Sequence, residues 1–304
     1  MNIEQINTLD NLLLVARKSM NSNHLDFDEN GAPLSPPIDK DIYIKIRSYI
    51  LQYAPPVLYR YRYGSEWDIK NLKEDSLWLS TLKEYNDPFE NRIFIDFKAI
   101  ADDLICKDKE LIEMMHFRHI DQQNSIYKKY ITDVMSMGEK LLDELEMKRN
   151  RLFTACFSET NSSLLMWAHY ANSHKGFCIG YQFKDIIEKF GVNIFPITYS
   201  NDFLKIDSYD LFCDHHEIFI KACKKKSKEW LYEKEWRLFG RYRINEPYEK
   251  GMTIKAPRPF CIYLGVNIEK TLKLELINIC KEKKIKLYQM GISEKGYRLL
   301  GYQI

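Results

Sequence analysis

Glycine is scarce in this 304-residue chain. It holds 12 glycines, about 4% of the chain against a usual level of about 7%. No G-x-G-x-x-G occurs, which excludes the dinucleotide fingerprint of doubly wound folds. The nearest approach to a phosphate loop, Gly265 to Thr271 (GVNIEKT), lacks the glycine before lysine and the correct spacing, so it is rejected. A long apolar run is missing too. The opening MNIEQINTLDNLLLVARKSM has a short apolar stretch and early acids, so neither a signal peptide nor a membrane span is expected. The seven cysteines are scattered, odd in number and without C-x-x-C. That argues against a disulfide framework or a zinc ribbon and for a reducing cytoplasm. Charge of one sign is also absent. Lys+Arg number 45 and Asp+Glu 43, so the net charge is +2, and only a local basic patch could serve nucleic acid.

Aromatic residues, by contrast, are plentiful: 20 Tyr, 16 Phe and 5 Trp. Their spacing, with that of the aliphatic residues, predicts the elements. Residues 1–54 read as a helical N-terminal arm ending before Pro55-Pro56. Residues 55–304 read as one α+β domain. Its strands are expected at Val57 to Tyr63, Ser76 to Thr81, LFTACFS, GFCIGYQF, FPITYS, EWRLFGRY, Cys261 to Leu264 and Ile285 to Met290. Residues 98–150 read as a charged helical insertion, and Leu211 to Trp230 as a further helix. The strands arrive in hairpins without a regular βαβ rhythm, which favours an α+β fold.

Four segments are more polar than a core requires. In LYRYRY, Arg60 and Arg62 stand among tyrosines, where an arginine either grips an anion bidentately or stacks at the surface. WLST brings Ser80 and Thr81 to a strand end, and the following NDPFE is a turn signal. CFSETNSSLLMWAHYANSHKGFCIGY sets Trp167, His169 and Tyr170 on a short helix beside a hydroxyl-rich loop. In EWLYEKEWRLF, Glu233 and Glu235 share one face if the segment is a strand. A pair of carboxylates so placed raises one pKa; a solvated strand edge is the plainer alternative. Lys221, Lys224, Lys225, Lys226 and Lys228, followed by Arg237, Arg241 and Arg243, form a basic run.

The segments LYRYRY, WLSTLKEYNDPFEN, ACFSETNSSLLMWAHYANSHKGFCIGY and WLYEKEWRLF, in that order, resemble a widespread bacterial family called domain of unknown function 2971, over roughly residues 57–265. The family label assigns no activity. A weaker resemblance is to the ADP-ribosyltransferases: Arg60 (or Arg62), Ser80-Thr81 and Glu233-x-Glu235 follow the order of that fold's arginine, Ser-Thr and Glu-x-Glu elements, although Leu82 stands where a second serine is usual. This second resemblance implies split antiparallel sheets around a cleft for NAD; the charged, strand-poor run 98–150, between two strand-rich blocks, is expected as a helical insertion over that cleft. The same resemblance implies an enzyme that uses NAD as substrate to modify a nucleic-acid or protein acceptor, in the manner of a bacterial toxin or phage-defence effector. Glu235 would stabilise oxocarbenium charge on the ribose, Glu233 would serve the acceptor, and Arg60 would pair with the pyrophosphate. Ser80, Thr81, Arg62, Tyr85, Asn86, Phe89, His169 and Tyr170 complete the expected NAD contacts; no metal is required. The rival expectations are a nucleic-acid-binding or nuclease-type protein working through the basic run, and a non-catalytic sensor using the same cleft.

Overall fold

The alternation in LYRYRY and the β-prone runs downstream do form strands. A computed structural model of the chain describes residues 1–18, 26–27, 33–34, 40–107, 120–150, 152–212, 215–242 and 250–304. The chain divides into two units that interleave in sequence: Met1–Glu84 with Leu152–Thr198 and Glu229–Ile304, and Tyr85–Arg151 with Tyr199–Lys228.

The first unit is built on one ten-stranded sheet. Its strands are β1 (Val57–Arg62), β2 (Ser76–Thr81), β3 (Leu152–Ser158), β4 (Phe177–Gln182), β5 (Ile194–Pro196), β6 (Glu235–Tyr242), β7 (Gly251–Lys255), β8 (Cys261–Leu264), β9 (Lys286–Ile292) and β10 (Leu299–Gln303). The spatial order is β7-β2-β3-β1-β4-β8-β9-β10, with β6 on β3 and β5 on β6. Every pairing is antiparallel except β8 with β9. The helices of this unit are α1 (Ile3–Lys18), α2 (Lys40–Tyr53), α3 (Glu66–Lys73), α4 (Leu164–Tyr170), α5 (Phe183–Phe190) and α6 (Lys270–Lys283). The parallel pair follows from α6, which supplies the crossover between β8 and β9. The architecture is therefore α+β with a mostly antiparallel open sheet.

Two separate small sheets were expected; the strands instead join at a fork. On β3, Ser158 pairs with both Tyr59 and Glu235, and Thr154 with both Ser80 and Phe239. β6 therefore runs along one edge of β3, while β1 and β2 share the other edge end to end. A sequence pattern reports strands but not that two of them divide one neighbour's edge.

Register assigns the faces, because directly paired residues point the same way and neighbours alternate. The front face carries Tyr59, Tyr61, Ser80, Thr154, Cys156, Ser158, Cys178, Gly180, Glu235, Arg237 and Tyr263. The back face carries Leu58, Arg60, Arg62, Phe157, Ile179, Tyr181 and Trp236. α4 lies on the front through Trp167, whose ring meets Tyr61 edge-on at 5.3 Å. α5 lies on the back through Phe183 against Trp236 at 5.1 Å. α3 is tied to the back by Asp68, which receives Arg62 Nε at 2.6 Å. Ser65 caps this helix in a capping box with Asp68, and Lys70 and Lys73 occupy its last turn.

Gly176, at the entry to β4, is required by close packing. A Cβ there would sit 2.2 Å from Arg62 O and 2.9 Å from Tyr63 O, both backbone atoms that no rotamer change can move. Gly176→Ala is expected to lower unfolding stability by about 1–3 kcal/mol, the usual cost of overpacking, as measured by urea titration.

The second unit contains the predicted insertion, seen as helices Phe97–Lys107 and Ile120–Arg149 packed on one another. Ile100, Ala101, Ile105, Val134, Leu141 and Leu145 are buried. Gly138 permits the approach, since a Cβ there would meet the Phe97 ring at 2.4 Å. A short parallel pair, Leu204–Ile206 with Ile93–Ile95, forms a two-stranded sheet in this unit. The long helix expected over Leu211 to Trp230 is broken. A helix covers His215–Cys223, a strand Lys225–Ser227 and a 3₁₀ turn Lys228–Glu233. Among the described residues, no helix is long and apolar enough to cross a membrane.

Candidate functional site

The polar residues of the front face gather where α4 and the 3₁₀ turn Lys228–Glu233 meet the sheet. Ser163 caps α4, its Oγ accepting from Met166 N at 3.4 Å. The helix stops because Asn172, Ser173 and His174 all adopt left-handed backbone (φ 49°, 52° and 67°). Three such residues in succession carry strain of about 1 kcal/mol or more each. Backbone bonds from Ser173 N to Ala168 O and His174 N to Trp167 O hold them, and the His174 ring stacks on Trp167. Burial lowers the His174 pKa, so the imidazole is neutral at pH 7.

Glu233 is 4% exposed and accepts a hydrogen bond from Tyr170 Oη at 2.6 Å. Ser158 Oγ donates to the Glu233 carbonyl at 2.6 Å, which anchors the turn to β3. Lys234 then takes φ 44°, and β6 begins only at Glu235. The two glutamates therefore do not lie on one strand, and the shared face expected of Glu233-x-Glu235 does not follow from strand alternation. Glu235 is engaged within the sheet. Its Oε1 accepts from Arg237 Nε at 2.9 Å and lies 2.8 Å from Arg237 Nη2. Both side chains are buried, at 3% and 0% exposure.

Half-buried Tyr59, Tyr170, Tyr232 and Tyr263 pack against a front-face core that includes Tyr61, Met166, Trp167 and Cys178. Tyr263 meets Tyr59 edge-on at 6.0 Å and stacks on Tyr288 at 4.8 Å. Tyr232 lies 6.2 Å from the exposed His169 and 6.1 Å from Trp230. Burial raises the Tyr59 and Tyr263 phenols, so both remain protonated hydroxyls. Burial likewise pushes Cys261 up to about 11 and Cys178 well above its ordinary value. Neither thiol supplies a thiolate nucleophile at neutral pH. Among the described residues no group of His, Cys, Asp and Glu converges as a metal site. What the face offers is aromatic surface, phenolic hydroxyls and a buried carboxylate, which suits a planar or hydroxyl-bearing ligand.

The other expected residues do not join this group. Arg60 lies on the back face, with its guanidinium 5.8 Å from the Phe157 ring, so Arg60 and Glu235 cannot grip one ligand from two sides. Its Nη2 donates to Trp78 O at 2.6 Å, bridging β1 and β2 across the fork. Arg62, on the same back face, is committed to Asp68. Ser80 does share the front face with Glu235, but their partners on β3, Thr154 and Ser158, are about 13 Å apart at the usual strand rise. Thr81 is fully buried. Tyr85, Asn86 and Phe89 belong to the second unit, where Phe89 is 60% exposed beside Phe203.

The basic run also differs from its expectation. Lys224 and Lys226 are buried, at 7% and 8% exposure, and Lys225 Nζ donates to Phe203 O at 3.1 Å. Arg237 is enclosed in the sheet. Arg243 and the side chain of Arg241 lie outside the described residues. Lys221 and Lys228 of the run are exposed and Lys225 is half-buried, so the solvated part of the run is smaller than the sequence implies.

Sequence reasoning overlooked Ser158, Tyr59, Tyr232, Tyr263 and the Arg237 partner of Glu235. Arg237 was legible, since residues two apart on a strand share a face. Also overlooked was a cleft of about 680 Å³ on the back face between α3 and α6, lined by residues including Glu66, Lys70, Lys73, Lys175, Glu269 and Thr271. The Lys73–Glu275 ion pair, at 2.8 Å, joins its two helical walls.

Residues 166–238 match the model of a family described as Protein of unknown function (DUF2971). The similarity to that family is confined to this stretch, which holds WAHYA, GFCIGY and EKEWR and thus α4, the strained turn, Glu233 and the Glu235–Arg237 pair. No curated protein matches the chain, and no solved structure matches it.

Proposed function

We propose that the front face binds a planar, ribose-bearing ligand of the NAD type, with Glu233 receiving a ribose hydroxyl and the surrounding tyrosines taking the aromatic base. The observation that carries this is the Tyr170 Oη–Glu233 Oε1 hydrogen bond of 2.6 Å. A half-buried phenol here connects a buried carboxylate to the surface, so a ligand hydroxyl can replace the phenol without leaving the carboxylate dry and bare. If cleavage of the nicotinamide bond accompanies binding, Glu233 is the carboxylate placed for it, because Glu235 is occupied with Arg237. A carboxylate fixed beside the ribose would then stabilise oxocarbenium charge, as in glycoside chemistry. Transfer to a nucleic-acid or protein acceptor would be the ADP-ribosyltransferase form of this reading.

Calorimetric titration with NAD tests the binding, and chromatography of released nicotinamide tests the cleavage. Glu233→Gln is expected to weaken NAD binding about 10- to 100-fold, the worth of a hydrogen bond to a charged group. Arg60→Met, on the back face, is expected to leave NAD affinity unchanged. Absence of NAD binding by the unaltered chain, or unchanged affinity in Glu233→Gln, overturns the proposal. Binding without nicotinamide release assigns the chain to the sensor class.

A further inference from the structure

The branched sheet of the first unit ends in three outer strands, and they are not protected alike. Exposed strand edges are ordinarily blunted by lysine, proline, bulges or short length, because their unpaired backbone groups template association. The outer strand β5 is short and ends in Pro196, which has no N–H to offer. The outer strand β7 ends in Lys255 and is preceded by Lys250. The outer strand β10, Leu299-Leu300-Gly301-Tyr302-Gln303, is preceded by the exposed Arg298, but within the strand it has no proline and no charged residue, whereas β7 carries Lys255 within it.

The open edge of β10 is also chemically explicit. Ile304 N donates to Leu287 O at 3.1 Å, which fixes the alternation. The N–H groups of Leu300 and Tyr302 point to β9, and those of Leu299, Gly301 and Gln303 point outward. No described backbone group outside the sheet pairs with these three. Apolar side chains flank the edge: Leu300 is 38% exposed, Tyr302 53% and Ile304 58%, with Ile292 of β9 at 72%.

We infer that β10 is a self-association edge, pairing antiparallel with β10 of a second copy of this chain to join two ten-stranded sheets into one. An antiparallel pairing about a two-fold axis centred on Gly301 is self-complementary. It sets Gly301 opposite the partner's Gly301 and Leu299 opposite the partner's Gln303, so every outward N–H finds an outward carbonyl. It sets Leu300 beside the partner's Tyr302 in a non-hydrogen-bonded pair, where side chains approach closest. The uncharged strand opposes no like charges in that register, which is the complementarity a copy of itself requires. A lysine-bearing edge such as that of β7 would bring like charges together under the same symmetry.

Light scattering coupled to size exclusion, over a wide concentration range, tests the association. The unaltered chain is expected at twice its 36.3 kDa mass. Leu300→Lys/Tyr302→Lys changes exposed side chains only and is expected at the single-chain mass with unchanged circular dichroism. Hydrogen exchange on the unaltered chain gives an independent reading. The amides of Leu299, Gly301 and Gln303 should gain protection as concentration rises, while those of Leu300 and Tyr302, already bonded to β9, should not change. A single-chain mass at all concentrations overturns the inference and leaves the edge to an unlike partner. So does a dimer that survives the double lysine substitution, or one whose outward amides stay unprotected.

Discussion

Glu235→Gln is expected to destabilise the folded chain by about 3–5 kcal/mol, the cost of breaking a buried ion pair by removing one partner. Arg237, fully buried on the same strand face, loses the carboxylate that lies 2.8–2.9 Å from its guanidinium. Arg237→Leu alone is expected to cost a similar amount, because it strips the charge from beside a buried carboxylate. The double variant Glu235→Leu/Arg237→Met is the informative one. Two apolar side chains of similar volume remove both desolvation costs, so the double variant should recover most of the loss and fall well short of the sum of the singles. Urea unfolding of the unaltered chain, Glu235→Leu, Arg237→Met and their double variant, with matched substitutions, measures the coupling. A Glu235 whose purpose was to meet a ligand would show little coupling to Arg237 and a small loss in Glu235→Gln. The expectation turns the best sequence candidate for a catalytic carboxylate into a structural element of β6.

How that candidate arose shows what the sequence could and could not reveal. Local pattern located these elements well: Ser76 to Thr81 and the EWRLFGRY strand have the boundaries expected of them, and Trp167, His169 and Tyr170 lie on a short helix as expected. Capping residues and alternation are short-range signals, and they act within the window that was read. The misreadings all depend on long-range geometry. Glu233 and Glu235 look like one strand because nothing in E-K-E announces that Lys234 turns left-handed. Arg60 and Glu235 looked like facing partners because their sequence order says nothing of register. One Tyr59–Ser158–Glu235 rung puts Tyr59 on the glutamate's side of the sheet and therefore Arg60 on the other. The lysines at 224 and 226 looked solvated because charge predicts exposure in general, and here the chain folds them inward. The tyrosines around Glu233 come from β1, α4, the Lys228–Glu233 turn and β8, four segments that no single window spans.

Asp68→Ala is expected to cost about 3 kcal/mol and to flatten the acid limb of the stability profile. This carboxyl is 3% exposed and is the hub of the β1–α3 junction. It receives Arg62 Nε at 2.6 Å and Nη2 on one oxygen, and Gly64 N, Ser65 N and Ser65 Oγ, each at 3.0 Å, on the other. Burial alone would raise its pKa, but the Arg62 charge and these hydrogen bonds outweigh burial and hold it below the ordinary aspartate value. The sign of the linkage follows. A carboxyl depressed in the folded state binds its proton more readily when unfolded, so its contribution is complete above the unfolded value of about 3.9 and fades as pH falls through the lower folded value. The cost of the substitution sits at the low end for a broken buried pair because Arg62 keeps 26% of its side chain exposed and regains water. Melting temperatures of the unaltered chain and of Asp68→Ala, taken from neutral pH to below pH 3, measure both effects. The gap between the two proteins should be widest at neutral pH and narrow below about pH 4 as Asp68 takes up its proton. A gap that stays constant through the acid range would mean that Asp68 holds α3 by shape and neutral hydrogen bonds, with the Arg62 charge contributing nothing to the fold.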